Sequence, residues 1–128
     1  MGTAYIIDSN AVIDYLMGKL PVSGMSFLNE VVDQIPFVSV ITKIEVLGFS
    51  ASSASHRLLA GFFDDAIVFG LSEEVTEKTI ELRKQHKIKL PDAIIAATAL
   101  VNRCTLITRN TADFKAILEL PVIDPHNI

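Results

Sequence analysis

The chain has 128 residues, half of them apolar and 20% charged, with a net charge of −4. That suits one domain with a sizeable core and argues against broad, non-specific attraction to polyanions. No apolar run approaches the ~20 residues of a membrane span, no basic region precedes the short apolar run at the N-terminus, and the single Cys104 excludes an internal disulfide and suits a reducing cytoplasm.

In chain order, residues 3–7 read as a buried strand. Residues 9–17 read as a helix with Val12, Ile13, Leu16 and Met17 on one face. Pro21 and Gly24 mark a loop, and a helix from about 25 to 34 follows with Phe27, Leu28, Val31 and Val32 inward. Pro36 stops it, and Phe37–Val40 is a second strand. Ile41–Phe49 is helical, with Gly48 ending or bending it. Ser50–Ser55 is a small-residue linker, too short for a domain boundary, before a helix over 56–64 and a strand over 66–69. Ser72 is an N-cap with Glu73 and Glu74 in the first turn, where the helix dipole favours them. That helix runs to about His86 and ends in Arg83, Lys84 and Lys87. Pro91 fits a first helical turn, and Ala93–Leu100 is a small-residue helix that packs closely. Residues 105–108 and 121–124 supply the last strands. Alternating strands and helices, with near-continuous apolar strands, predict an α/β fold. It is a three-layer α/β/α arrangement around a parallel sheet of about five strands.

Ligands of such sheets bind beyond the carboxyl ends of the strands. Asp8 and Asp113 follow strands, Glu45 lies in an apolar helix after the second strand, and Asp92 opens a helix. If the strands are parallel neighbours, these four acids converge. Hard oxygen ligands of this kind suit Mg²⁺ or Mn²⁺. Cations so held activate water and stabilise the leaving oxygen in phosphodiester hydrolysis. With those four of the 15 acids set aside, 11 remain against 11 Lys and Arg, so mild acidity does not exclude a polyanionic substrate. Zinc is not expected, because Cys104 is alone and His56, His86 and His126 show no ligand spacing.

Each acid also has a plainer reading. Asp8 is placed to cap the helix after it, Asp92 to complement a helix dipole, Asp113 to cap a short helix, and Glu45 to face solvent. Asp14, Asp64, Asp65 and Asp124 read as surface or turn acids. The three histidines read as solvated surface residues, and Cys104 as a small core residue. The mean hydropathy of +0.43 is high for a small soluble monomer, so an apolar patch awaiting a partner is one expectation, with Val31, Val32, Phe62 and Phe63 as contributors.

Four segments in order carry a family resemblance. They are Ile6-Ile7-Asp8-Ser9-Asn10, Ser39-Val40-Ile41-Thr42-Lys43-Ile44-Glu45, Leu90-Pro91-Asp92-Ala93 with the apolar helix after it, and Thr108-Arg109-Asn110-Thr111-Ala112-Asp113-Phe114. The chain resembles a PIN domain, and more narrowly the toxin of a VapBC-type toxin–antitoxin pair. Each motif alone is weak, and the ordered set is specific. The likeness covers nearly the whole chain as one PIN-like domain over residues 1–128. It implies Mg²⁺- or Mn²⁺-dependent ribonuclease activity, an RNA substrate, a homodimer and a cognate antitoxin. It also implies that Asp8, Glu45 and Asp92 are the three core acids. The fourth acid varies in placement, and Asn110 and Asp113 both occupy its region. Asn10, Thr42, Thr108 and Asn110 are candidate accessory polar residues, and Thr42 lies three residues before Glu45, on the same side of a helix.

Two further readings stand beside this one. A phosphatase of the haloacid dehalogenase type would use Asp8 as nucleophile, but it resembles Asp-x-Asp there, and this chain has Asp8-Ser9-Asn10. The acids could also survive in a non-catalytic PIN-like binding module. The bases nearest the acids in sequence are Lys43, Lys87, Lys89 and Arg109.

Overall fold

The computed structural model describes residues 2–49 and 52–128. Five parallel strands form one sheet: β1 (Ala4–Ile7), β2 (Phe37–Ser39), β3 (Ile67–Phe69), β4 (Cys104–Ile107) and β5 (Val122–Ile123), in the order β3-β2-β1-β4-β5. The helices are α1 (Ser9–Leu16), α2 (Val22–Asp33), α3 (Val40–Leu47), α4 (Ser53–Asp65), α5 (Glu73–Gln85), α6 (Leu90–Val101) and α7 (Thr111–Phe114). The three-layer arrangement is the one the alternating pattern predicts.

Strand alternation builds the two apolar layers. Ile6 and Leu106 face a core made with Val75, Leu82, Ile95 and Phe114. Their neighbours Ile7 and Ile107 face the opposite core, with Val12, Leu28, Leu59 and Phe63. Successive strand side chains point to opposite faces, so a strand covered on both sides must be apolar throughout.

β1 is central. From it the chain first builds outward through β2 and β3, then crosses back to place β4 on its other side. Ile7 pairs with Ile107 at the last rung of the β1–β4 ladder. Between these two strands the winding reverses, and it is beyond the carboxyl ends at such a point that sheets of this kind bind ligands.

Several expected boundaries shift. The loop at Pro21 and Gly24 is shorter than the sequence implies, because α2 begins at Val22 and Gly24 lies within it. Tertiary packing overrides glycine's poor helix propensity here. A Cβ on Gly24 would collide with the Pro125 carbonyl oxygen, so the C-terminal segment crosses where only glycine leaves room. In the expected linker, residues 50 and 51 lie outside the described residues. Ser52 already caps α4 by accepting the Ser55 N–H. Gly48 ends α3 and Ser72 caps α5, both as expected.

Val31, Phe62 and Phe63 are buried, not exposed. They pack against Leu28 and Leu59, since two amphipathic helices on one sheet face cover each other's apolar stripes. The exposed large apolar residues are others, among them Ile44, Phe49, Leu90 and Leu118. Cys104 is buried, as expected, and burial pushes its thiol above the usual range. Among the described residues no helix is long and apolar enough to cross a membrane.

Candidate active site

Asp8 leaves β1 and enters α1. Its extended backbone makes it the N-cap, and its Oδ1 accepts the Ser9 N–H at 2.8 Å. The capping reading of Asp8 therefore holds, and it occupies one carboxylate oxygen only. Oδ2 accepts the Thr108 hydroxyl at 2.8 Å and the Asn10 side-chain amide at 3.3 Å. Thr108 is fully buried just beyond β4 and is satisfied in full. Its oxygen also accepts from Asn10 Nδ2 and from the Asn110 N–H, each at 3.1 Å. The Asn10 amide oxygen takes the Arg109 N–H at 2.9 Å. These partners fix the Asn10 amide in one orientation: oxygen toward Arg109, nitrogen toward Asp8 and Thr108. The loop after β4 is stitched to the first turn of α1, with Asp8 at the seam.

Asp8 is only 5% exposed. Burial raises its affinity for a proton, the Thr108 and Ser9 hydrogen bonds lower it, the Glu45 charge raises it, and Asn10 lowers it; the net direction is up.

Glu45 reaches the same place from α3. Its Oε1 accepts the Ser9 hydroxyl at 2.6 Å, so Ser9 joins two of the acids, one through its backbone and one through its side chain. Ser9 was not among the expected site residues. Its only signal in the sequence is its position inside the Asp8 motif.

Asp92 lies in the first turn of α6. Burial raises its proton affinity most, and the charges of Asp113, Asp8 and Glu45 raise it further, while Lys89 opposes. The topology has therefore brought Asp113, Asp8 and Glu45 each within electrostatic reach of Asp92. Asp113 lies in α7 and lines one groove with Asp92, whereas Asn110 precedes the helix and does not line it. Asp113 is thus within α7 and does not cap it; Asn110 occupies the N-cap position.

Two expectations about other groups need correction. Asp14 is not a surface acid: it is 5% exposed, and its Oδ2 meets the Arg109 guanidinium at 3.0 Å and His126 Nε2 at 2.8 Å. His126 is correspondingly not a free surface residue. A carboxylate this buried needs partners, and the loop after β4 and the C-terminal segment supply them from 95 and 112 residues away. The Arg109 head group is therefore engaged by Asp14. Asp64, Asp65 and Asp124 are exposed or turn acids as expected, with Asp124 accepting the His126 N–H at 2.9 Å.

The donor set suits a hard divalent cation. It is all oxygen, and two of its members hold protons more tightly than usual, through burial first and neighbouring carboxylates next. Thr42 adds an independent sign. Its hydroxyl is fully buried without a hydrogen-bond partner, one turn before Glu45. Thr79 and Thr98 satisfy theirs on carbonyls four residues back. Thr42 is the third residue of α3 and has no preceding helical turn to use. Among the described residues no three acidic, histidine or cysteine side chains are gathered tightly enough to enclose an ion alone. Mg²⁺ does not require that, since one or two carboxylates and several waters complete its shell.

A parallel five-stranded sheet with carboxylates at its switch point defines an α/β protein with acids gathered at the strands' carboxyl edge. The PIN domain family model matches residues 5–119, and the chain belongs to that family. Among solved structures it is similar to a chain of a toxin–antitoxin complex from Klebsiella pneumoniae, 31% identical with a TM-score of 0.79, over 98% of this chain and 100% of that one. It is also similar to VapBC-1 from nontypeable Haemophilus influenzae, 27% identical with a TM-score of 0.74, over 96% and 98%. A third is DNA-bound VapBC from Salmonella typhimurium, 25% identical with a TM-score of 0.76, over 97% and 99%. No curated protein matches the sequence. The chain is thus a VapC-like PIN domain.

Proposed function

We propose that this PIN domain is a Mg²⁺- or Mn²⁺-dependent endoribonuclease, the toxin of a toxin–antitoxin pair acting in the cytoplasm. The observation that carries this reading is the gathering of the acids: Ser9 joins Glu45 to Asp8, Asp113 lines one groove with Asp92, and Asp8, Glu45 and Asp113 all act on Asp92. The similar complexes from Klebsiella pneumoniae and Haemophilus influenzae support an antitoxin partner.

In this reading Asp8, Glu45, Asp92 and Asp113 hold the cation, directly or through water, with Asn10, Thr42, Thr108 and Asn110 as polar support. A bound Mg²⁺ or Mn²⁺ supplies a water of lowered pKa and positive charge for the phosphate oxygens. Thr108, Asn10 and the Ser9 N–H fix the orientation of the Asp8 carboxylate, so no reorganisation is needed when substrate arrives. Ser9 ties Glu45 to that same frame. Water adds to phosphorus, the phosphodiester P–O bond breaks, and the departing oxygen leaves with a proton.

Asp8→Asn keeps the shape and most of the hydrogen bonds. Its cleavage of single-stranded or looped RNA is expected to fall by more than the roughly 10–100-fold that loss of a supporting residue costs. Cleavage by the variant at the parent's rate would sink the reading. A covalent acyl-phosphate on Asp8 would instead mark the phosphatase alternative, and metal-independent RNA binding without cleavage would mark a binding module.

A further inference from the structure

Beside the acidic crevice lies a partly open groove of about 270 Å³. Lys87, Lys89 and Lys115 line it, together with Asp92 and Asp113 from the crevice itself. The three lysines come from separate places: Lys87 and Lys89 from the turn between α5 and α6, and Lys115 from the residue after α7. All three are exposed, and among the described residues none is in a salt bridge. Lys89 acts on Asp92, yet three cations against two carboxylates along one groove, in a chain with a net charge of −4, need an account. The plain account of Lys87 as a helix-end complement to the dipole does not cover Lys115, which follows a different and far shorter helix.

We infer that Lys87, Lys89 and Lys115 form the track on which the RNA backbone lies as it enters the carboxylate crevice. The inference rests on the nuclease reading and adds the side from which the strand arrives. An ammonium group serves as a point-charge partner for a phosphate. The groove is partly open and, at about 270 Å³, smaller than the ~300–1,000 Å³ of an enclosing ligand pocket, which suits a chain passing over it. No aromatic side chain lines it, so bases are not stacked there and the track is read as phosphate-binding without sequence preference. The lysines also offset the repulsion a polyanion meets from Asp92 and Asp113. Arg109 is excluded from the track because its guanidinium is engaged by Asp14.

The test is binding of a short fluorescent single-stranded RNA to the full chain in chelator, across a salt series. Compared with the parent are Lys89→Ala/Lys115→Ala and an equal-charge control, Lys19→Ala/Arg57→Ala, outside the groove. The groove variant is expected to bind on the order of tenfold more weakly. Its log K against log salt is expected to flatten by roughly 0.7 for each phosphate that no lysine neutralises any longer. The control should match the parent. With Mn²⁺ the groove variant is expected to show a raised KM and a preserved kcat. Equal weakening in the control, or an unchanged salt slope in the groove variant, overturns the inference. So does a polyglutamate peptide that competes as well as RNA. Lysine-dependent binding by a parent that never cleaves RNA would support the track and sink the nuclease reading, so the two failures are distinguishable.

Discussion

Asp8 carries opposed demands. Hydrogen bonds from Thr108, Ser9 and Asn10 favour its charged form, yet burial and Glu45 outweigh them. Asp92 is raised for related reasons, burial first and then Asp113, Asp8 and Glu45. A carboxyl whose folded pKa is raised above the ordinary 3.8 keeps its proton in the folded chain after the unfolded chain has lost it. Stability therefore falls as pH climbs from that ordinary value toward the raised one. In chelator, the melting temperature is expected to decline over this window. Asp92→Asn removes one charge at constant shape, so it is expected to melt higher than the parent in chelator near neutral pH and to gain less from Mn²⁺. A variant that melts lower and gains as much would make Asp92 a helix-start residue alone. Asp14 makes the opposite case. Its partners are present within the chain, and Asp14→Ala would strip His126 and Arg109 of theirs. Because the Arg109 side chain is 53% exposed and keeps its hydration, a loss of about 1–3 kcal/mol is expected, measured by urea unfolding.

At the scale of elements, the two helical glycines separate packing from propensity. Gly24 in α2 has the Pro125 carbonyl where a Cβ would go. Backbone cannot yield as a flexible side chain does, so Gly24→Ala must displace the C-terminal segment or the helix. A loss of about 1–3 kcal/mol is expected, as for overpacked sites. It should be accompanied by loosening of the Ser23 hydrogen bond to the Ile128 carbonyl and of His126 against Asp14. Gly61 in α4 has nothing within 4 Å of the same position. There Gly61→Ala removes only the entropic penalty of glycine and should stabilise by about 0.5–1 kcal/mol. Urea unfolding of both variants, with exchange of the His126 amide, checks the pair. Equal effects of the two substitutions would mean that the tail does not press on α2.

At the scale of the whole molecule, a metal or partner that binds only the folded state would stabilise it by mass action. Mn²⁺ at a hundredfold excess over its Kd is expected to stabilise by roughly 2.7 kcal/mol, and Asp8→Asn should abolish most of that gain. The apolar surface left exposed, including Ile44, Phe49, Leu90 and Leu118, motivates a homodimer that also holds an antitoxin. Light scattering at tens of micromolar is the check, and a monomeric mass would count against the dimer.

The local rules carried much of this protein in the open. The 2-residue and 3.6-residue apolar periods set the layers, because an element can bury only the face its period makes apolar. Caps at Asp8 and Ser72 are settled by the residue types that satisfy free N–H groups at helix starts, whereas Ser52, read as linker, caps α4. The approach of Asp8, Glu45 and Asp113 to Asp92 was legible because parallel strands deliver their carboxyl ends to one edge. Long-range closure decided the rest. Nothing near Asp14 in the chain announces that Arg109 and His126 will enclose it, and an acid on a short helix otherwise reads as solvated. Ser9 looks like a first-turn filler until α3 brings Glu45 to its hydroxyl. Gly24 looks like a loop until Pro125 arrives. Lys115 joins Lys87 and Lys89 only when α7 folds beside α6. Periodicity and capping are local energies that a sequence states directly. Partnership between distant residues depends on loop closures whose geometry only the assembled sheet defines.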